Sequence, residues 1–162
     1  MKDFWVGSNV VIGENLQKGN GVSIGNNVTI GDNVIIGNNV TIGNNVVIGD
    51  DVEIGDNTKV EHFVLLKAAT KIGTDCYIDS YVKSSGQNYI GNNVTLRFNS
   101  TIARKVTIED NAFISPNVMT VFSQPDGSKS SGTLIREGAF VGTNVVLNSS
   151  ITVGKKAIIG AM

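Results

Sequence analysis

Residues Ile24–Gly55 read IGNNVTIGDNVIIGNNVTIGNNVVIGDDVEIG, a unit of six residues repeated without a gap. Each unit opens on an aliphatic residue, continues with Gly and two residues drawn from Asn and Asp, then Val, then a variable residue. A fixed period of this kind decides the fold before any local propensity does. Counted by six from Val6, the first position stays aliphatic out to Ile114 with two departures, Lys18 and Ser84. It resumes at Ile135 and runs through Val141, Leu147, Val153 and Ile159.

Six is not a helical period, and the wealth of Ile, Val and Thr with a Gly-Asn-Asn in every copy argues against helix. A short strand followed by a sharp corner fits instead, because Gly and Asn tolerate left-handed backbone at little cost. Three such units close one coil, and coils stack at the strand spacing of about 4.8 Å. The first and fifth positions then point inward and build aliphatic ladders. One unit cannot bury its own face, so stability must come from stacked neighbours. The I-G-x-x-V-x hexads resemble those of the hexapeptide-repeat acyltransferases, from Val6 to Gly160. That resemblance implies an all-β, left-handed parallel β-helix solenoid, an exception to the usual hand of parallel crossovers.

At 162 residues the chain reads as one domain: a cap over 1–5, regular coils over 6–119, a loop over 120–134 and final coils over 135–162. A net charge of −1 gives no warrant for nucleic acid or a membrane surface as the main partner. The charge is uneven, however. Residues 1–57 hold seven acids and two bases, and residues 58–162 hold seven acids and eleven bases, so a phosphate-bearing ligand belongs with the second part. Cys76 is the single cysteine and falls at an inward fifth position, where a small buried hydrophobe is expected. The start, MKDFWVGSN, lacks signal-peptide architecture, and no apolar run is long enough for a membrane span, so a cytoplasmic protein is expected.

Up to Gly55 every second position is Gly; from Val60 this position reads Glu61, Lys67, Gly73, Asp79, Ser85, Gly91, Arg97, Ala103, Glu109, Ser115. The candidate site belongs where the frame stops being featureless. His62, the only histidine, occupies a corner with its ring expected outward, where it is either a proton acceptor or an exposed turn residue. Ser84 and Asn88 are polar at inward positions; they either reach a ligand or satisfy each other and the backbone. Lys83 is placed to meet a phosphate, Arg97 to fork onto a phosphate or carboxylate, and Asn99 to hold an amine by its carbonyl oxygen. Thr120–Leu134, TVFSQPDGSKSSGTL, reads as a loop thrown out from one corner, a ligand cover or an idle insertion. Phe4 and Trp5 are expected to cap the open core, and Lys18 to escape at that end. The last coil stops part-way, which suggests a truncated tail or cover by another chain.

The run VTIEDNAFISPNVM, a polar loop, then GTLIREGAFVGTNVVL and VGKKAIIGAM resembles one branch of the family, the bacterial N-acyltransferases of nucleotide-linked amino sugars. The resemblance implies an acyl-CoA co-substrate, acetyl-CoA or a relative, and no metal. It implies a homotrimer with sites in the grooves between prisms. It assigns Asn99 to the amine, Lys83, Ser84 and Arg97 to the sugar or its phosphates, Gly142, Thr143 and Ala161 to the pantetheine, and Lys155 and Lys156 to the CoA phosphates. Here the family's Q-N-N stretch reads Arg97-Phe98-Asn99, the loop has no His, and the usual segment past the last I-I-G-A is missing. In such a reaction a neutral amine attacks the thioester, and the proton goes to His62 or to the departing sulfur. His62 lies two coils from Asn99, on the order of 10 Å along the axis, which favours the sulfur.

Three alternatives stand beside this reading. O-acetylation of a sugar or serine hydroxyl would make His62 an essential base. Zinc-dependent hydration, as in carbonic anhydrases of the same fold, needs three histidines, against one here. A non-enzymatic structural or binding solenoid would suit the near-perfect early repeats, although the regular Thr-x-Thr ladders of ice-binding surfaces are missing.

Overall fold

The computed structural model describes residues 4–123, 126–128 and 131–162, and no helix occurs among them. Every hexad contributes a strand of two residues, its sixth position and the first of the next, as in Thr29–Ile30 and Ile35–Ile36. The strands sort into three parallel sheets of nine, eight and eight, which form the three faces of a left-handed prism. The first face holds Ser23–Ile24 and Thr41–Ile42, the second Thr29–Ile30 and Val47–Ile48, the third Ile35–Ile36 and Glu53–Ile54. Each strand pairs with the one 18 residues on, so residues of one hexad position stack directly on their equivalents.

The inward ladders are close to dry. Ile24, Ile42, Ile30, Ile48, Ile36 and Ile54, with the Val residues between them, are fully buried. Burying such a side chain is worth about 1.5–3 kcal/mol. No coil achieves it alone, because each ladder residue is covered by the coils above and below.

The corners explain the rest of the motif. The fourth position turns the chain with positive φ, near 55° at Asn27, Asn33, Asn39 and Asn45. At the third position the side chain accepts the backbone N–H of its equivalent one coil earlier: Asn26 donates to Asn44 Oδ1 at 2.8 Å and Asp32 to Asp50 Oδ1 at 2.9 Å. Fourth-position amides donate to each other up the prism, as Asn27 Nδ2 does to Asn45 Oδ1 at 3.2 Å. The glycine at the second position is there because the next corner lies against it. A Cβ on Gly31 would meet Asp50 Oδ1 at 2.2 Å and Asp50 N at 2.8 Å.

At the N-terminal end Lys18 does leave the interior, and its ammonium sits 4.1 Å from the centre of the Phe4 ring. Trp5 lies exposed on the outer side of its strand, and Val6 and Ile12 of the same coil are only partly covered. Near the other end the pairing offset widens from 18 to 27, as in Phe113 with Phe140, so the excursion adds nine residues (27 − 18) to one coil. It leaves after the strand Met119–Thr120 and returns at Leu134–Ile135, so Thr120 and Leu134 belong to strands rather than to the loop. Residues 124, 125, 129 and 130 of the expected loop, and 1–3 of the expected cap, lie outside the described residues.

Candidate active site on one edge of the prism

The corner between the first and second faces gathers most of the residues singled out from sequence. Its fourth-position column starts as an asparagine ladder, Asn9, Asn27 and Asn45. It then changes to Phe63 and Tyr81, and returns to Asn99, Asn117 and Asn144. Phe63 and Tyr81 hold φ of 58° and 64°, a region bulky side chains rarely occupy. Their rings stack at 5.0 Å with planes 9° apart, and Phe98 meets Tyr81 edge-on at 5.4 Å and 66°. All three are exposed, at 48, 42 and 46 %. This aromatic step escaped the sequence reading. The available signal was a bulky side chain at a position the repeat reserves for Asn or Asp.

Immediately past the step, Asn99 Oδ1 accepts from the Lys83 ammonium at 3.0 Å, and Asn99 Nδ2 donates to Asn117 Oδ1 at 3.0 Å. The carbonyl assigned to an amine therefore already holds one, supplied by the chain itself. Arg97 lies on the same corner. Asp79 Oδ2 takes its Nε at 3.1 Å and the Phe98 N–H at 3.2 Å, while Asp79 Oδ1 takes the Ser80 N–H at 2.7 Å. The guanidinium is thus braced at one nitrogen and still 44 % exposed.

His62 occupies a third-position corner, and its ring does the work of the usual asparagine oxygen. Nδ1 accepts the Asn44 N–H at 2.8 Å, as Asn44 Oδ1 does for Asn26. That bond places the proton of the neutral ring on Nε2, 3.8 Å from Glu61 Oε2. Glu61 also takes the Lys59 ammonium and the Tyr77 hydroxyl. Its hydrogen bond to Lys59, then its charge, push the Lys59 pKa up.

Ser84 and Asn88 resolve the alternative left open by the sequence. Ser84 is 1 % exposed; its hydroxyl lies 2.7 Å from Thr70 Oγ1 and donates to Asn88 Oδ1 at 2.6 Å. Asn88 Nδ2 donates to the Ala103 carbonyl at 2.5 Å. The polar residues satisfy one another and the backbone inside the prism, and Ser84 is turned away from the edge that holds Lys83, Arg97 and Asn99.

The assigned CoA residues divide between two edges. Gly142, Thr143 and Ala161 sit on the edge of Asn99, where Met162 N–H donates to the Thr143 carbonyl at 3.1 Å. Lys155 and Lys156 sit on the corner between the third and first faces, and Lys155 pairs with Glu137 at 2.6 Å. The hydrogen bond to Glu137, then its charge, hold the Lys155 pKa above its ordinary value. The remaining edge carries a feature the sequence reading passed over: Lys67, Ala68, Ser85, Gly86, Gln87 and Arg104 line an open groove beside the loop. Cys76 is buried as expected, with Sγ 3.1 Å from the Gly91 carbonyl, and burial pushes its thiol pKa up. The described residues bring together no group of three or more His, Cys, Asp or Glu suited to a metal ion.

A three-sided parallel prism with one strand and one corner per six residues is the architecture of the hexapeptide-repeat acyltransferases. Two solved structures share it with the chain: the UDP-N-acetylglucosamine acyltransferase from Campylobacter jejuni and the one from Arabidopsis. The first superposes with a TM-score of 0.74 at 21 % identity, over 93 % of this chain and 65 % of that one. The second gives 0.73 at 20 %, over 97 % and 67 %. The chain belongs to the family described as the GMPPB C-terminal domain, whose model matches residues 24–130. Among curated proteins it is 34 % identical over 103 residues to galactoside O-acetyltransferase of Escherichia coli, covering 56 % of this chain and 51 % of that protein. It is 33 % identical over 96 residues to the bifunctional protein GlmU of Thermosipho africanus, covering 59 % of this chain and 19 % of that protein. The chain thus spans about half the length of the first of these and a fifth of the second.

Proposed function

We propose that the protein is an acyltransferase that moves an acetyl or other short acyl group from acyl-CoA to the amine of a nucleotide-linked amino sugar. The observation that carries this reading is the Asn99 carbonyl, which binds an ammonium at 3.0 Å on an exposed edge next to Arg97. Lys83 marks the position of the acceptor nitrogen. In the reaction the substrate amine, neutral and held by Asn99, attacks the thioester carbonyl carbon. The C–N bond forms as the C–S bond breaks, and the thiolate takes the proton released by the nitrogen. Aligning the two reactants supplies most of the rate. Gly142, Thr143 and Ala161 offer the acyl donor a path on this same edge, with Lys155 and Lys156 across the last strand for its phosphates. A homotrimer, with each site in the groove between neighbouring prisms, is part of the proposal.

O-acetylation is the second reading, favoured by the 34 % likeness to a galactoside O-acetyltransferase. A hydroxyl requires a general base, and Nδ1 of His62 is engaged by the Asn44 N–H. The amine therefore fits this edge better. Thiol release from acetyl-CoA, measured against nucleotide-linked amino sugars and against galactosides, separates the two. Release with the amines, lost in Asn99→Ala, supports the proposal. Release with the hydroxyl acceptors alone rejects it.

A further inference from the structure

The aromatic step interrupts a column in which asparagine recurs both before and after it. Phe63 and Tyr81 adopt a backbone conformation that asparagine accepts readily and that bulky residues resist. They also leave three exposed rings, Phe63, Tyr81 and Phe98, on the edge that holds Lys83 and Asn99. Asparagine would supply the amide ladder at this corner, as it does at Asn27 to Asn45 and at Asn99 to Asn117. The rings pack on one another outside the buried ladders, where the repeat elsewhere places asparagine.

We infer that Phe63 and Tyr81 form the stacking platform for the base of a nucleoside diphosphate, with Lys83 as the contact for its phosphates. The inference rests on the acyl-transfer reading above and names the part of the acceptor that this edge recognises. Along the prism axis the order is Phe63, then Tyr81 with Lys83 on the following strand, then Asn99. The two coils from Phe63 to Asn99 span on the order of 10 Å, room for a diphosphate between a base at one end and a sugar amine at the other. Flat aromatic rings bind bases through their faces with little dependence on sequence. Since Tyr81 covers one face of Phe63 and Phe98 lies edge-on to Tyr81, the base extends the stack at the Phe63 end, away from Asn99. Lys83 then has two partners in turn. Without ligand its ammonium occupies Asn99 Oδ1; with ligand it moves to the diphosphate and gives the carbonyl to the substrate amine.

The test is calorimetric titration of the full chain with uridine, thymidine and guanosine 5′-diphosphates, and with adenosine 3′,5′-bisphosphate as the nucleotide portion of the acyl donor. The expected result is that at least one nucleoside diphosphate binds and that Tyr81→Asn and Phe63→Asn each weaken it by about 10- to 100-fold. Binding of adenosine 3′,5′-bisphosphate stays unchanged. Both substitutions install the residue the scaffold uses, so the melting temperature holds or rises and misfolding does not explain the loss. Equal binding by wild type and variants overturns the inference, as does a wild type that binds no nucleoside diphosphate. A loss for adenosine 3′,5′-bisphosphate, alone or together with the others, overturns the assignment to the acceptor. A change of oligomeric state in either variant overturns it too, by making the step a contact between copies. The readout needs no turnover: nucleotide binding without thiol release sinks the acyl-transfer reading, and the reverse sinks only the platform.

Discussion

His62→Asn and His62→Ala together separate a corner role from a chemical one. Nδ1 stands where an asparagine oxygen stands in the coils before it, accepting one backbone N–H at 2.8 Å. His62→Asn restores the scaffold's own acceptor, so this bond survives. His62→Ala leaves the Asn44 N–H without its partner. A neutral hydrogen bond contributes about 0.5–1.5 kcal/mol net; with the ring 47 % exposed, water competes and the lower half of that range applies. For a domain of this size each kcal/mol moves the melting temperature by about 2–4 °C. His62→Ala is therefore expected to melt about 1–4 °C lower by scanning calorimetry, and His62→Asn within about a degree of wild type. In the thiol-release assay His62→Asn should keep kcat within about tenfold, because loss of a general base costs 10²–10⁴. A hundredfold loss in His62→Asn with unchanged melting would refute the reasoning. The ring would then be a base, and Asn44 would have to give up its acceptor during turnover.

Other substitutions test the frame. Among the described residues Ser100 Oγ is the one buried side-chain oxygen without a partner, and it interrupts a ladder between Val82 and Val118; Ser100→Ala should raise the melting temperature by a few degrees. Gly31→Ala drives a Cβ against Asp50 Oδ1 and the backbone of the next corner, and should cost about 1–3 kcal/mol or more, read by denaturant titration. Cys76 should resist a thiol reagent in the native protein and react in full once unfolded, since burial raises its pKa and shields the sulfur. The Asp56 carboxyl is held below its ordinary 3.8, first by the Asn38 backbone N–H at 2.6 Å, then by the Asn38 side chain. A depressed folded-state pKa stabilises above the unfolded value and is lost as pH falls through the folded one. Asp56→Asn keeps an acceptor but removes the charge and the titration, so its melting temperature should lie slightly below wild type from about pH 5 to 7, fall less steeply below about pH 4, and converge with it there.

The frame was legible because every hexad states it independently. A single odd residue such as Lys18 or Ser84 cannot outvote 22 aliphatic first positions. The edge was legible in part. His62 and Arg97 stand out as departures from the pattern, Lys83 and Asn99 only by their chemistry and by the family resemblance, and the 18-residue register brings all four to one edge. What sequence could not separate was the direction of each departure. Ser84 looked as informative as Arg97, yet its partner Thr70 lies 14 residues away and faces it only once the coil closes.

Inward and outward departures from such a repeat carry different meanings, and the physics that separates them is desolvation. An inward polar residue must find its partner within the prism or destabilise it. Thr70, Ser84 and Asn88 therefore appear together and cancel. An outward departure faces no such demand, because water serves as partner. Phe63, Tyr81 and Phe98 break the corner column without repairing anything inside, two of them in a backbone conformation that asparagine would hold more easily. Their stacking on one another adds some stability, but asparagine would serve the corner itself, so the platform proposed above gives these rings a use on the outer edge. The same sorting, applied to any coil of this chain, ranks the aromatic step above the buried serine as a place to look for chemistry.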